Sequence, residues 1–216
     1  MLTSAAPLMQ DDELLLLIID LQRDFCPGGR LAVPDGDAVV PAINSIASRF
    51  RHIVLTQDWH PENHVSFAIN HPGTHSFDQL LLDYGLQTLW PSHCVQNTEG
   101  ADFHPDLEIG RAELILRKGF HTAIDSYSAF LENDKCTPTG LAGYLRERGF
   151  KRIFIAGLAY DYCVRYSAVD AVRAGFEAIV IVDACRSIGA IDETEQEFAA
   201  VGVEQTTLAA LLQAGQ

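Results

Sequence analysis

Arg152-Ile153-Phe154-Ile155-Ala156-Gly157-Leu158-Ala159-Tyr160-Asp161-Tyr162-Cys163 is the stretch on which the fold turns. Residues 152–156 form a short apolar run without polar alternation, as expected of a strand buried on both faces. A helical pattern over residues 161–174 follows and is closed by Gly175. A buried strand handing over to a helix is half of a βαβ unit, and the same unit recurs on either side. Leu14–Ile19 and residues 52–56, 113–116 and 178–182 are similar runs, mostly Leu, Ile and Val. Helical patterns cover residues 37–50 and 139–148, and a helix over 193–200, a short strand over 203–206 and a helix over 208–213 end the chain. This alternation predicts an α/β fold, a central, mainly parallel β-sheet with helices on both faces in a three-layer, Rossmann-like arrangement. Residues 58–106 break the rhythm. They are rich in His, Pro, Asn and Gly, and so long a loop in a compact domain usually serves a function.

The 216 residues carry 15 Lys+Arg against 29 Asp+Glu, a formal charge of −14, with 48% hydrophobic residues. A chain of this length buries about 70% of its unfolded surface, so it needs neither a disulfide nor a structural metal merely to fold. The acidic balance excludes partners held by phosphate neutralisation, so neither nucleic acid nor an anionic membrane is expected. The first ten residues carry no Lys or Arg, and the longest apolar run, Leu14–Ile19, is far short of a membrane span. A cytoplasmic protein is expected, with residues 1–12 a flexible extension and 13–216 a single domain. Five cysteines at irregular spacing, with no C-x-x-C pair, predict reduced thiols.

In an open α/β sheet the ligand crevice lies at the carboxyl ends of the strands. The first polar residues after the apolar runs are Asp20, Asp58, Lys118 and Asp183, and the fourth run leads to Cys163. A thiol in the first turn of a helix is expected to have a lowered pKa and to lie among backbone N–H groups that could receive an oxyanion. Lys118, one of three lysines, needs a carboxylate at a strand end, and Asp20 is the natural partner. An acid, a cation and a thiol together could take a proton from sulfur and attack a carbonyl carbon.

Seven of the eight histidines lie between residues 52 and 104, a metal-site cue. Asp58 and His60 are two apart in an extended segment and so share a face. His64 follows four later and His93 lies at the far end of the loop. Carboxylate with imidazole suits zinc, manganese or iron more than magnesium or calcium. Phe25, Trp59 and Trp90 flank the two clusters and could wall a flat ring.

Several motifs then converge: Asp20-Leu21-Gln22-Arg23-Asp24-Phe25-Cys26; Gln57-Asp58-Trp59-His60-Pro61-Glu62-Asn63-His64; Trp90-Pro91-Ser92-His93-Cys94-Val95-Gln96-Asn97; Asp125-Ser126-Tyr127-Ser128-Ala129-Phe130; and Gly157-Leu158-Ala159 with Asp161-Tyr162-Cys163-Val164. In order over residues 14–190, they resemble the bacterial nicotinamidase/pyrazinamidase family of isochorismatase-like cysteine hydrolases. The resemblance implies hydrolysis of nicotinamide, and of pyrazinamide, through a cysteine thioester, in NAD salvage. It implies Asp20, Lys118 and Cys163 as catalytic residues. It places the oxyanion at the N–H groups of Ala159 and Cys163, with a cis peptide at Leu158–Ala159. It also implies one divalent transition metal, zinc expected and iron or manganese as alternatives, held by Asp58, His60 and His93. His64 stays open, because that position ligates in some relatives and not in others. Phe25, Trp90, Tyr127 and Leu158 would contact the substrate. Tyr160 stands where many relatives have Thr, which is expected to tune the activity. The sequence leaves the association of copies undecided.

Two other readings compete. An isochorismatase or carbamoyl-amide hydrolase would share the acid, lysine and cysteine but lack the Asp58, His60, His93 set. A non-catalytic metal-binding or thiol-redox protein would leave Asp20 and Lys118 beside Cys163 unexplained.

Overall fold

The computed structural model describes residues 11–213. Six parallel strands form the central sheet: β1 (Leu14–Ile19), β2 (Ile53–Asp58), β5 (Leu114–Lys118), β6 (Arg152–Leu158), β7 (Glu177–Arg186) and β8 (Glu204–Thr206), in the order β5-β2-β1-β6-β7-β8. The chain fills one half outward from β1 and then returns to fill the other from β6. Strand order therefore reverses between β1 and β6, and a doubly wound sheet opens its ligand crevice at the carboxyl ends of that pair.

The apolar runs form strands because both faces are covered. Leu16, Ile18, Leu55, Phe154 and Ile181 point to one face, packed by α1 (Val39–Ala47) and α5 (Leu208–Gln213). Leu15, Leu17, Ile19, Ile155 and Val180 point to the other, packed by α2 (Leu141–Arg148), α3 (Arg165–Arg173) and α4 (Asp192–Val201). At the switch point Gly157 has φ +125°, and a Cβ there would lie 2.1 Å from the Ile19 carbonyl oxygen. Only glycine lets the end of β6 lie this close to β1.

Several boundaries differ from the sequence reading. The strands run further at their carboxyl ends, with Asp58 and Lys118 as ladder partners inside the sheet. Polar residues can end a buried strand here because they pair with one another. The helix expected from residue 161 opens as a single π-type turn, Tyr160–Val164, before α3. The long loop holds an antiparallel hairpin, β3 (Gln79–Leu82) and β4 (Gly85–Thr88). Its strands are four residues each and carry outward-facing Leu81 and Leu86, so neither length nor alternation marks them.

Asp11 and Asp12 belong to the turn that enters β1. Leu14 N–H donates to the Asp11 carbonyl, and Asp12 pairs with Arg51. Residues 1–10, where most of the expected extension falls, lie outside the described residues. Among the described residues no helix is long and apolar enough to cross a membrane.

Candidate active site

Asp20 follows β1, Asp58 ends β2, Lys118 ends β5, and Cys163 lies in the turn after β6. The sheet order brings all four to one crevice. Asp183, the remaining polar residue read from a strand end, is exposed. It accepts the Leu208 N–H at the start of α5 and takes no part in the crevice.

Lys118 is fully buried. Its Nζ donates to Asp58 Oδ1 at 2.6 Å, to the Ser126 carbonyl at 2.9 Å and to Cys163 Sγ at 3.5 Å. An ammonium has three N–H donors, which these groups and Asp20 share. Asp20 Oδ2 pairs with the same nitrogen at 2.8 Å. Asp20 Oδ1 is held by the Thr56 hydroxyl at 2.6 Å, whose oxygen also accepts the Asp20 backbone N–H. Asp20 thus has one oxygen held by Thr56 and the other beside a fixed cation.

The two carboxyls are driven apart. Burial raises the Asp20 pKa above its ordinary value, and Lys118 only partly offsets this. Burial also acts against Asp58 ionising, but the Lys118 ammonium beside it holds its carboxyl well below the usual range. Burial opposes the Lys118 charge, yet Asp20, Asp58 and Cys163 keep its pKa well above normal. Asp58 is therefore the more persistent anion of the two and Asp20 the better proton acceptor.

Cys163 departs from the expectation of a lowered pKa. Its side chain is buried, and that burial, with Asp20 and Asp58 nearby, pushes the thiol well up despite Lys118. The resting sulfur keeps its proton and needs a base, and Asp20 is within hydrogen-bond reach. The Leu158–Ala159 peptide is cis. Among the described hydrogen bonds the Ala159 N–H has no acceptor, and the Cys163 N–H has none outside its own turn. Asp161 anchors this turn, its two oxygens accepting the N–H groups of Ile188 at 3.0 Å and Gly189 at 2.8 Å.

The second cluster faces the same cleft. Asp58 Oδ2 lies 3.1 Å from His60 Nε2 and 3.6 Å from His93 Nε2. His60 Nδ1–H donates to the Gly119 carbonyl and His93 Nδ1–H to the Pro91 carbonyl, each at 2.8 Å. Those bonds fix the tautomers so that both Nε2 lone pairs turn toward Asp58. Gly119 has φ +67°, and a Cβ there would meet the His60 ring at 2.4 Å, so glycine is needed for that close approach. One carboxylate oxygen and two imidazole nitrogens fit zinc, iron or manganese with positions left for other ligands.

His64 is engaged otherwise. Its Nε2–H donates to the Ile124 carbonyl at 3.2 Å and its Nδ1 accepts from the Ser66 hydroxyl at 2.7 Å. It nonetheless lies with His60 and Asp125 in a second group whose donor atoms are close enough to share an ion.

Phe25, Trp90 and Tyr127 line a narrow cleft together with Asp58, His93, Ala159 and Cys163. Leu158 does not line it. Its side chain is fully buried in the core, approaching Gly36, so only its backbone serves the site. Tyr160 points away, its hydroxyl donating to Glu195 and its ring packing on Phe198 of α4. Its bulk therefore stays out of the cleft. Sequence reasoning missed Thr56, the Ser126 carbonyl, Leu31, Tyr162 and Ile188. Thr56 alone left a signal, a hydroxyl inside a fully buried strand.

Residues 14–213 match the family described as Isochorismatase domain. The chain is 51% identical over 199 residues to a nicotinamidase of Acinetobacter baylyi, covering 91% of this chain and 93% of that protein. Its structure is similar to that of an Acinetobacter baumanii nicotinamidase, with a TM-score of 0.92 and 50% identity over 94% of this chain and 99% of that one. It is also similar to a Pyrococcus horikoshii pyrazinamidase in complex with zinc, with a TM-score of 0.74 and 37% identity over 90% of this chain and 99% of that one. With the sheet order, the buried acid, lysine and thiol, and the match over almost its whole length, the chain belongs to the isochorismatase domain family.

Proposed function

We propose that the protein is a nicotinamidase, hydrolysing nicotinamide to nicotinate and ammonia in NAD salvage and accepting pyrazinamide. The observation that carries this reading is the Asp20 carboxylate, fully buried, paired with the Lys118 ammonium at 2.8 Å and within reach of the Cys163 thiol. Asp20 takes the thiol proton as sulfur bonds to the amide carbon, and Lys118 holds the resulting charges together. The tetrahedral oxyanion is received by the Ala159 and Cys163 N–H groups. The C–N bond breaks as Asp20 returns the proton to nitrogen, and ammonia leaves a thioester on Cys163. Water then adds to that carbonyl, giving a proton to Asp20. The C–S bond breaks, releasing nicotinate, and the proton returns to sulfur.

Asp58, His60 and His93 would hold the divalent metal, whose open positions supply a Lewis acid for a ring nitrogen and so orient the ring. Phe25 and Trp90 wall the ring, and Tyr127 closes the cleft. The zinc reported for the similar pyrazinamidase supports that ion for this chain. The metal-type donor set favours nicotinamide over the substrates of the isochorismatases and carbamoyl-amide hydrolases. Ammonia release from nicotinamide, assayed with wild type, Cys163→Ala and chelated protein, tests the reading. Release that requires both Cys163 and the returned metal is expected. A folded, metal-loaded wild type that releases none would overturn it.

A further inference from the structure

Tyr160 is the first residue of the turn Tyr160–Val164 and directly follows Ala159, so it stands between the two residues whose N–H groups face a developing oxyanion. Among the described hydrogen bonds neither N–H is tied to another part of the fold. Their directions are therefore set by whatever fixes the turn. A π-type turn is rare and tends to mark functional sites. Two consecutive side chains fasten this one to the same neighbouring segment. Asp161 accepts the N–H groups of Ile188 and Gly189, just before α4. Tyr160 reaches α4 itself, its ring edge-on to Phe198 with centroids 5.7 Å apart and its hydroxyl donating to Glu195 Oε1. Glu195 is steadied in turn, because its Oε2 accepts from Gln205 Nε2 of β8 at 2.6 Å.

The two contacts of Tyr160 differ in kind. Apolar packing on Phe198 is non-directional, whereas a hydroxyl donating to a carboxylate is a strong bond with a preferred angle. Burial and Glu195 push the phenol pKa up, so Tyr160 keeps the proton that it donates. Tyr160 is not among the residues lining the catalytic cleft. It faces a separate groove with Val182, Cys185 and Ile191. Any effect of its side chain on the reaction must therefore pass through the backbone of the turn.

We propose that Tyr160, through its hydroxyl on Glu195, is a positioning residue that aims the Ala159 and Cys163 N–H groups at the oxyanion. The inference rests on the proposed amide hydrolysis at Cys163. The oxyanion exists only once sulfur, or later water, has added to the carbonyl carbon. Donors that lose their aim then cost transition-state binding and leave ground-state binding alone.

The test measures kcat and KM for nicotinamide in wild type, Tyr160→Phe, Glu195→Ala, Glu195→Gln and the double variant of Tyr160→Phe with Glu195→Ala. Removing an oxyanion donor outright costs about 100–1000-fold in kcat, so a donor kept but misaimed should cost about tenfold. Tyr160→Phe is expected to lower kcat by that amount with KM within about twofold. Glu195→Ala should do the same, the double variant should be no worse than either, and Glu195→Gln, which keeps an acceptor, should restore the wild-type values. Inhibition by pyridine-3-carbaldehyde and by nicotinate separates positioning from general loosening. The aldehyde carbon bonds to the Cys163 sulfur and the thiol proton passes to the aldehyde oxygen, which then lies at the oxyanion position; nicotinate forms no such bond. Tyr160→Phe should weaken the aldehyde about tenfold and nicotinate by less than about twofold. An unchanged kcat, equal losses for the two inhibitors, or losses that add in the double variant would each overturn the proposal. Glu195 is half-buried on α4, so Glu195→Ala keeps the proposal testable if Tyr160→Phe does not fold. Wild type that releases no ammonia would instead refute the hydrolysis reading, a separate result.

Discussion

Lys118→Met removes the cation shared by two buried carboxylates and keeps most of the side-chain volume. In the native protein Nζ lies 2.8 Å from Asp20 Oδ2 and 2.6 Å from Asp58 Oδ1, with all three residues nearly inaccessible to solvent. Removing one partner of a buried ion pair costs about 3–5 kcal/mol, because the other charge stays buried and unpaired. Two carboxylates lose their partner here, so the upper end of that range applies. At about 2–4 °C per kcal/mol for a chain of this size, the thermal midpoint of the metal-free protein should fall by roughly 10–20 °C near neutral pH. The loss should depend on pH. Asp20 already has a raised pKa, and without Lys118 it rises further, while the unfolded carboxyl keeps its ordinary value. The folded variant then binds a proton that the unfolded chain releases. Its stability falls as pH rises from the unfolded pKa through the folded one, and the deficit shrinks on acidification. Thermal denaturation of both proteins, with chelator, at about pH 5 and about pH 8 measures this. A deficit equal at both pH values, or a midpoint within about 3 °C of wild type at the higher pH, would refute the account of the shared cation.

Other substitutions probe the remaining parts. Thr56→Val takes away the hydroxyl that donates to Asp20 Oδ1 at 2.6 Å. The Asp20 pKa should rise and the acidic limb of the kcat/KM profile shift upward by about one unit, as measured by ammonia release against pH. His93→Ala removes one of three converging donors and should weaken metal binding by about a hundredfold or more in a competition titration with a chelator. Gly157→Ala would place a Cβ 2.1 Å from the Ile19 carbonyl. It should cost about 4 kcal/mol or more in urea unfolding, or leave no folded protein.

Much of the site was legible because strand ends converge by topology alone. Asp20, Asp58, Lys118 and Cys163 each follow or end an apolar run, and a doubly wound sheet carries such positions to one crevice. What was hidden depended on tertiary contacts. The thiol of Cys163 looked activated by its place at a helix start, but burial beside two carboxylates dominates. Leu158 sits between catalytic motifs, yet its side chain turns into the core. Asp183 matched the strand-end rule and serves α5 instead, because β7 runs past it to Arg186.

The central claim is that Cys163 carries the acyl group after Asp20 has taken its proton. Acid quenching of the protein during turnover of saturating nicotinamide, followed by digestion and mass measurement of the peptide spanning residues 153–165, tests it most directly. The account predicts the pyridine acyl group on Cys163 in wild type, and neither acyl group nor nicotinate with Cys163→Ala. An acyl group on another residue, or nicotinate formed by Cys163→Ala at the wild-type rate, would contradict it.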